Sequence, residues 1–245
     1  MINHSVSPQD RAPILIQGAL KSELNLLLDA FEVLQTKTIG GFDFFECNHR
    51  GAPVVICRTM IGEIHSAMAT TLGIEHYHPR LIINQGTAGA LTHWLNTGDV
   101  VIGTRVCYLS QFSTDADRDA DAINPWKTNQ YRTVDGDESS YHTDPTLLQE
   151  LRTICQKQGH HVYFDILGSG DVWTKEPQQI HRYHQQYGVV CEAMECAGAY
   201  LAANRLQTPL VSIRAISNNE LKHQTYDQAS GVLAQKFVLE LLPHL

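Results

Sequence analysis

Short apolar runs alternate along this chain with segments in which apolar residues recur every three or four positions. The short runs predict buried strands, and the periodic segments predict amphipathic helices. The predicted strands are residues 14–17, 42–47, 54–58, 81–84, 99–103, 105–109, 162–167, 188–191 and 209–216. The predicted helices are residues 24–31, 62–73, 145–157, 178–186, 193–205 and 228–242. This order predicts a single-domain three-layer α/β/α fold with a mixed, mostly parallel central sheet.

Glycine, proline and capping residues indicate where these elements end. Gly18 follows the first strand, Gly73 ends the second helix, and residues 85–89 (QGTAG) predict a Gly-rich turn. Asp144 followed by Pro145 predicts an N-cap and a first helical turn. We therefore expect one domain over residues 1–245, with a flexible N-terminus at 1–12 and a long polar loop at 110–143.

Composition narrows the class of protein. Of the 245 residues, 43% are hydrophobic and the formal net charge is −8, so the chain can form a core and is a poor match for nucleic acid. No apolar run reaches the ~20 residues of a membrane helix, and the polar N-terminus does not resemble a secretory signal. The six cysteines are scattered without a CxxC, which favours reduced, buried thiols in a cytoplasmic protein.

Small and polar residues follow five predicted strands, where ligands of open α/β folds gather. None of these segments is a GxGxxG or a Walker loop, so dinucleotide and nucleoside-triphosphate binding lack their fingerprint. The Asp-rich run from Asp115 to Asp121 lacks the Gly and Glu of an EF-hand loop, and the 13 histidines include no HExxH. We expect no metal and no cofactor.

Taken together, seven short segments resemble the purine nucleoside phosphorylase/nucleosidase superfamily, and most closely its 5′-methylthioadenosine/S-adenosylhomocysteine nucleosidases. The resemblance extends from about residue 14 to residue 242, with the segments in the same order. They are residues 18–23 (GALKSE), 60–62 (MIG), 84–89 (NQGTAG), 98–101 (GDVV), 169–171 (SGD), 194–198 (MECAG) and 214–218 (RAISN). The resemblance implies hydrolysis of the N-glycosidic bond of a purine nucleoside, with release of the base and a ribose derivative.

The resemblance also implies roles on the ribose side of a site. Glu195 would bind the sugar, Met194 would pack on it, and Glu23 would activate water. Thr87 would lie near the anomeric carbon, and Arg214 is a candidate partner for Glu195. Each role has a plainer alternative, since Glu23 could be a solvated charge at a helix start and Thr87 only a turn residue.

On the base side, Trp173 would stack on the purine, the backbone of Thr174 would meet the base edge, and Ser217 would join Asn218 in substrate binding. Trp173 could instead be a core aromatic. The nucleosidases carry an aspartate acid where this chain has Asn218, and an amide has no titratable proton. Asn218 therefore leaves open a 6-oxopurine nucleoside or futalosine-type hydrolase, as well as a noncatalytic nucleoside binder.

The nucleophile and the assembly are the remaining questions. Phosphorylases of the superfamily hold phosphate with arginines where this chain has Asn84 and Leu20–Lys21, which favours water. Lys21 and Arg58 could substitute, so a phosphate-dependent purine nucleoside phosphorylase stays open. The resemblance implies a homodimer whose only other partner is the small-molecule nucleoside.

Overall fold

The computed structural model describes residues 12–110 and 140–245. Ten strands in these two ranges form one sheet. They are β1 (Ile14–Gly18), β2 (Glu32–Ile39), β3 (Phe42–His49), β4 (Ala52–Arg58), β5 (Leu81–Ala90), β6 (Val100–Tyr108), β7 (Ser140–His142), β8 (Tyr163–Ser169), β9 (Cys191–Ala193) and β10 (Leu210–Asn219).

Six α-helices accompany the strands in the described ranges. They are α1 (Asn25–Ala30), α2 (Glu63–Tyr77), α3 (Pro145–Gln158), α4 (Pro177–Tyr187), α5 (Cys196–Arg205) and α6 (Ala229–Leu241). Single 3-10 turns at Lys21–Glu23 and Glu220–Lys222 lie just after β1 and β10. Asp144 caps α3 as predicted, because its Oδ1 accepts from the N–H groups of Thr146 and Leu147 at 2.8 and 3.0 Å.

The sheet has an open half and a closed half that share β5. In the open half the order is β5-β1-β4-β3-β2, with β1 parallel to β4 and β5 and with β3 antiparallel to its neighbours. In the closed half β5 pairs with β10, β10 with β6, β6 with β8, β8 with β9, and β9 with β5 again. Five strands thus form a closed ring, and the predicted mixed sheet is confirmed.

Helices cover both faces of the sheet, as β1 shows. Leu15 points into a cluster with residues of α2 and α5, whereas Ile14 and Ile16 point into a cluster with residues of α1, α3 and α6. This alternation is that of a strand buried on both faces, and it produces the three predicted layers.

Two glycine-based predictions are wrong. Helix α2 continues past Gly73 to Tyr77, because this glycine serves packing: a Cβ there would lie 2.7 Å from the Leu15 side chain. Residues 85–89 are part of β5 and do not form a turn. Their glycines accommodate close neighbours, as described below for Gly86.

Other boundaries also differ from the predictions. The predicted strands 99–103 and 105–109 are one strand, β6, with a register shift between Gly103 and Arg105. Helix α5 begins at Cys196 instead of residue 193, because 191–193 form β9. The predicted 110–143 loop contains β7 at its end. The predictions for residues 1–11 and 111–139, including the Asp115–Asp121 run, lie outside the described residues.

Two further observations concern the cysteines and the length of the helices. All six cysteines are buried and have free thiols. No helix in the described part of the chain is long and apolar enough to cross a membrane.

Candidate active site

A cavity of about 210 Å³ lies at the carboxyl ends of β1, β5, β8, β9 and β10. The predicted site residues that line it are Glu23, Thr87, Trp173, Met194, Glu195, Ser217 and Asn218. The other two predicted residues, Thr174 and Arg214, are buried and do not line it. The cavity therefore collects residues that are up to 195 positions apart, from Glu23 to Asn218.

Glu23 is fixed by four hydrogen bonds from the protein. Its Oε2 accepts from the N–H groups of Ala19 and Leu20 at 3.0 and 3.1 Å. Its Oε1 accepts from the N–H and hydroxyl of Thr87 at 2.9 and 3.2 Å. The single 3-10 turn after β1 brings the carboxylate back over its own loop, so Glu23 is a positioned group and not a solvated helix-start charge.

Gly86 makes room for two charged groups, the Glu23 carboxylate and the Arg214 guanidinium. A Cβ at this position would lie 2.7 Å from both Arg214 Nη1 and Glu23 Oε1, so one or both of these groups would have to move. The Arg214 guanidinium is fully buried, and it bonds Asn84 Oδ1 through Nη2 and the Cys196 sulfur through Nε at 3.2 Å. Arg214 is thus a fixed buried cation behind the cavity wall.

Glu195 is the second carboxyl of this region, and it precedes the first residue of α5. Its Oε2 lies 3.8 Å from Arg214 Nη1, so the predicted partnership is confirmed. The N–H groups of Gly62 and Met194 approach the carboxyl at 3.4 and 3.3 Å. Burial raises the pKa of Glu195 to about 7; Arg214 opposes this shift, whereas the charge of Glu23 adds to it.

Ser217 and Asn218 both line the cavity although they are consecutive residues of β10. Neighbouring strand residues normally face opposite sides, but the β10–β5 register shifts between Ile216 and Asn218. The Ser217 hydroxyl lies within hydrogen-bond distance of two acceptors, Asn218 Oδ1 at 3.0 Å and Ala88 O at 3.2 Å. Asn218 Nδ2 donates to Glu220 Oε1 at 3.2 Å. The bulge therefore explains how one strand end supplies two polar groups.

Glu192 is a cavity residue to which the sequence analysis gave no role. It is buried on β9, and its Oε1 accepts from the Thr174 N–H at 2.6 Å. Burial raises the pKa of Glu192 to about 7; hydrogen bonds from Thr174 oppose this shift, and Glu176 and Glu220 add to it. The signal available in the sequence was its position, three residues before Glu195 at the same strand end.

An apolar wall closes the cavity on the side of Trp173. The Trp173 ring is 44% exposed and meets the Tyr226 ring edge-on, with centroids 6.0 Å apart. Lys175 Nζ lies 4.7 Å from the Trp173 centroid. Because Trp173 is exposed beside a cavity, it is available for stacking and is not a core residue. Tyr226 also lines the cavity and was missed by the sequence analysis.

A wider groove of about 590 Å³ adjoins the cavity and shares Ala19, Leu20 and Ile61 with it. Lys21 and Arg58 line this groove and not the cavity, and Arg58 Nη2 pairs with Asp43 Oδ2 at 3.2 Å. Among the residues that the structure describes, none of those lining the cavity is a lysine or arginine. In the same described ranges, no group of three or more His, Cys, Asp or Glu side chains is arranged to hold a metal ion.

Comparisons with known proteins agree with this architecture. A family model described as the phosphorylase superfamily matches residues 13–242. The 5′-methylthioadenosine/S-adenosylhomocysteine nucleosidase of Bacillus thuringiensis (strain Al Hakam) is 28% identical over 240 residues, which cover 95% of this chain and 99% of that protein.

Two solved structures show the same fold. The futalosine hydrolase of Helicobacter pylori strain 26695 superposes with a TM-score of 0.79 at 18% identity, covering 96% of this chain and 99% of that one. The S-adenosylhomocysteine nucleosidase of Streptococcus pyogenes, in complex with 5-methylthiotubericidin, gives a TM-score of 0.80 at 22% identity, covering 98% and 99%.

Proposed function

Because the chain belongs to the phosphorylase superfamily, we propose that it is an enzyme that hydrolyses the N-glycosidic bond of a purine nucleoside. The products are the free base and a ribose derivative, as expected for a nucleosidase of the 5′-methylthioadenosine/S-adenosylhomocysteine type. The similarity to a nucleosidase over 95% of the chain supports hydrolysis of an N-ribosyl bond.

The observation that carries this proposal is the pair Glu23 and Glu195 in one cavity. Cleavage of the bond builds positive charge on the ribosyl ring, and a buried carboxylate next to the ring stabilises that charge. Glu195 is suited to bind the ribose hydroxyls, because Arg214 behind it favours its ionised form. Met194 lines the same cavity and is suited to pack on the ribose.

Glu23 is suited to activate the attacking water. A general base must be held within hydrogen-bond reach of its proton donor, and the four contacts to Glu23 hold it in one place. The Thr87 hydroxyl, 3.2 Å from Glu23 Oε1, is positioned to orient the same water. Water thus attacks the anomeric carbon while the base departs from the opposite face.

The base leaves with negative charge, which Asn218 stabilises by donating a hydrogen bond to the purine N7. An amide cannot transfer a proton to N7, so Asn218 acts here as a hydrogen-bond donor only. Trp173 holds the purine ring by stacking, with Tyr226 packed against its edge.

Water, and not phosphate, is the nucleophile in this proposal. A multiply charged phosphate needs guanidinium or ammonium donors, and the described lining of the cavity offers none. Lys21 and Arg58 line the neighbouring groove instead. We expect base release to proceed at the same rate with and without phosphate, and the sugar product to be an unphosphorylated ribose derivative.

A homodimer in the cytoplasm completes the proposal. Ile61, Ile64 and Met68 form an apolar stripe beside the cavity and are 48%, 72% and 50% exposed. Light scattering after gel filtration should give the mass of a dimer. Ile64→Glu should weaken that dimer, whereas Leu233→Glu on α6, in the opposite helix layer, should not. The six free thiols suit a reducing compartment.

The decisive test of the reaction is chromatographic detection of the free base from purified protein. Methylthioadenosine, S-adenosylhomocysteine, inosine and futalosine are the substrates, each in phosphate-free buffer and in buffer with phosphate. Release of the base together with a sugar that carries no phosphate at its anomeric carbon supports the proposal. Formation of ribose 1-phosphate would reassign the chain as a phosphorylase, and binding without turnover would make it a nucleoside-binding protein.

A further inference from the structure

Helix α5 begins directly after Glu195, and its first N–H groups need hydrogen-bond partners from outside the helix. The opening N–H groups of an α-helix have no partner within it. An acidic side chain next to them is a favoured acceptor, because a helix N-terminus attracts negative charge. Glu195 occupies the N-cap position, yet its carboxyl makes no capping hydrogen bond.

Two buried side chains from other elements accept these N–H groups instead. The Ser169 hydroxyl oxygen, at the end of β8, accepts from the N–H groups of Cys196 and Ala197 at 2.9 and 3.1 Å. Glu63 Oε2, on the first residue of α2, accepts from the N–H of Gly198 at 2.5 Å. The first three N–H groups of α5 are therefore all occupied by side chains from elsewhere in the fold.

Glu63 also fixes the Ser169 hydroxyl. This hydroxyl donates its one hydrogen to Glu63 Oε1, which leaves its two lone pairs for the N–H groups of α5. Both Glu63 oxygens act as acceptors, which is the pattern of an ionised carboxylate. Burial raises the pKa of Glu63, and the hydrogen bonds from Ser169 and Gly198 oppose this rise. Ser169 and Glu63 thus form one hydrogen-bonded unit.

The unit lies at a close junction of α2 and α5. A Cβ at Gly198 would overlap the backbone carbonyl of Glu63, so the two helices would have to move apart to admit a side chain there. The Ser66 hydroxyl donates to the carbonyl oxygen of Glu195 at 2.7 Å. Since the Gly62 N–H also approaches the Glu195 carboxyl, the start of α2 contacts both the backbone and the side chain of Glu195.

We propose that Glu63 is a positioning residue for the ribose side of the site: together with Ser169 it caps α5, and this leaves the Glu195 carboxyl free to face the cavity. Glu63 does not line the cavity, so it acts through Glu195. Without Glu63 the Gly198 N–H loses its acceptor, and the Glu195 carboxyl is drawn toward the helix and away from Arg214. The inference rests on the proposed function, in which Glu195 binds the ribose.

The test is a double-mutant cycle of Glu63→Gln and Glu195→Gln, with kcat/KM as the readout. The substrate is whichever of methylthioadenosine, S-adenosylhomocysteine, inosine and futalosine the wild-type protein cleaves fastest. Glutamine keeps the shape of glutamate, but its amide nitrogen cannot accept from the Ser169 hydroxyl or the Gly198 N–H.

We expect Glu63→Gln alone to lower kcat/KM by about tenfold or more, because small displacements of a group that contacts the substrate are costly. In the Glu195→Gln background the same change should lower kcat/KM by less than about twofold, since its effect passes through Glu195. An equal loss in both backgrounds, or no loss in either, would overturn the inference.

The measurements are made at pH 8, so that Glu195 is ionised wherever it is present. Burial raises the pKa of Glu195 to about 7; Arg214 opposes this shift, and Glu23 and Glu63 add to it, so the loss of Glu63 moves this pKa further below pH 8. Glu75→Gln is the matched control, because Glu75 is an exposed residue of the same helix. It should leave kcat/KM unchanged, and thermal melts compare the folding of all variants.

Ser169→Ala covers the case in which Glu63→Gln fails to fold, and it separates the hydrogen bond from the charge. This variant removes the hydroxyl that joins Glu63 to α5 and leaves the Glu63 carboxylate in place. We expect kcat/KM to fall by about tenfold or more, with this loss absent in the Glu195→Gln background. A loss that persists undiminished in that background would contradict the proposal.

The cycle also distinguishes failure of this proposal from failure of the proposed function. If the wild-type protein cleaves a nucleoside and Glu63→Gln cleaves it equally well, only the role of Glu63 is wrong. If the wild-type protein releases no base, the proposed function is wrong, and calorimetry of nucleoside binding replaces kcat/KM. Glu63→Gln should then weaken nucleoside binding by about tenfold without changing the affinity for the free base. Equal weakening of both would overturn the role of Glu63.

Discussion

The two sides of the cavity are built in different ways. On the ribose side, Glu23, Glu195 and Arg214 are connected to each other and to backbone N–H groups, and every one of them falls within a segment that resembles the nucleosidases. On the base side, Glu192 and Asn218 are held by Thr174, Ser217 and Glu220 in an arrangement that the resemblance did not imply.

The difference separates two tasks. In the proposed reaction, bond cleavage depends on the ribose side, which needs the same charges for any nucleoside, since the ribosyl cation is common to all of them. In the same proposal, the choice of base depends on the other side, because the order of hydrogen-bond donors and acceptors differs between purines. Substitutions on the two sides should therefore change different kinetic quantities.

The largest effect is expected on the ribose side, from Glu23→Gln. The general base is lost while the substrate contacts stay, so kcat should fall about 10³-fold with KM nearly unchanged. Steady-state release of base measures this, and a thermal melt confirms that the protein folds. Glu32→Gln, an exposed change on β2, should behave as wild type. A kcat within tenfold of wild type would remove Glu23 from the mechanism.

Glu195→Gln should lower kcat/KM about 100-fold, because a neutral amide stabilises the ribosyl cation poorly. The base side is untouched, so the affinity for the free base, measured by calorimetry, should stay within about twofold of wild type on the same reasoning. A comparable loss of affinity for the free base would show that the two sides are not independent.

The pH dependence of base selection should follow Glu192, whose pKa burial raises to about 7. Above this pKa the ionised carboxylate can only accept a hydrogen bond, such as one from the N1–H of inosine. Below this pKa the carboxylic acid can donate one, for example to N1 of adenosine. The kcat/KM ratio of inosine to adenosine should thus fall about tenfold or more from pH 8 to pH 6.

Titration of Glu195 affects both nucleosides through the shared ribose and cancels in this ratio. The groups that act on Glu192 are Glu176 and Glu220, which raise its pKa, and Tyr183, which lies close enough for its own pKa to be raised by Glu192. A ratio that stays constant between pH 6 and pH 8 would mean that Glu192 does not contact the base.

The smallest effect is expected from Trp173→Ala. Loss of stacking on a half-exposed ring costs about 1 kcal/mol, so KM should rise roughly fivefold for both classes of base, with kcat nearly unchanged. Trp173→Phe keeps an aromatic face and should retain most of the affinity. A base-dependent change would show that Trp173 also takes part in selection.

Most strands and helices could be predicted from periodicity, because they bury one or both faces. Strand β2 could not, since Glu32–Ile39 is almost entirely exposed and depends on backbone pairing with β3. The closed ring could not be predicted either, because its pairings join distant segments such as β5 and β10. Gly86 was predicted as a turn residue, whereas its lack of a side chain makes room for Arg214 and Glu23.

The candidate site was also predictable only in part. Residues within the resembling segments, such as Glu23 and Asn218, could be predicted to meet in one cavity. The sequence could place Glu192 only at the same strand end as Glu195; its hydrogen bond to Thr174, 18 positions away, could not be predicted. Only the folded chain reveals which donor is already occupied.

The ring of strands also bears on how such an enzyme acquires a new substrate. Glu192 lies on β9 and Asn218 on β10, and both strands pair with β5, so neither backbone has a free edge along which to slide. Replacing either side chain therefore changes the hydrogen-bond donors and acceptors that line the cavity without moving the strands. A single substitution on the base side should therefore change base preference and leave the ribose side of the cavity as it is.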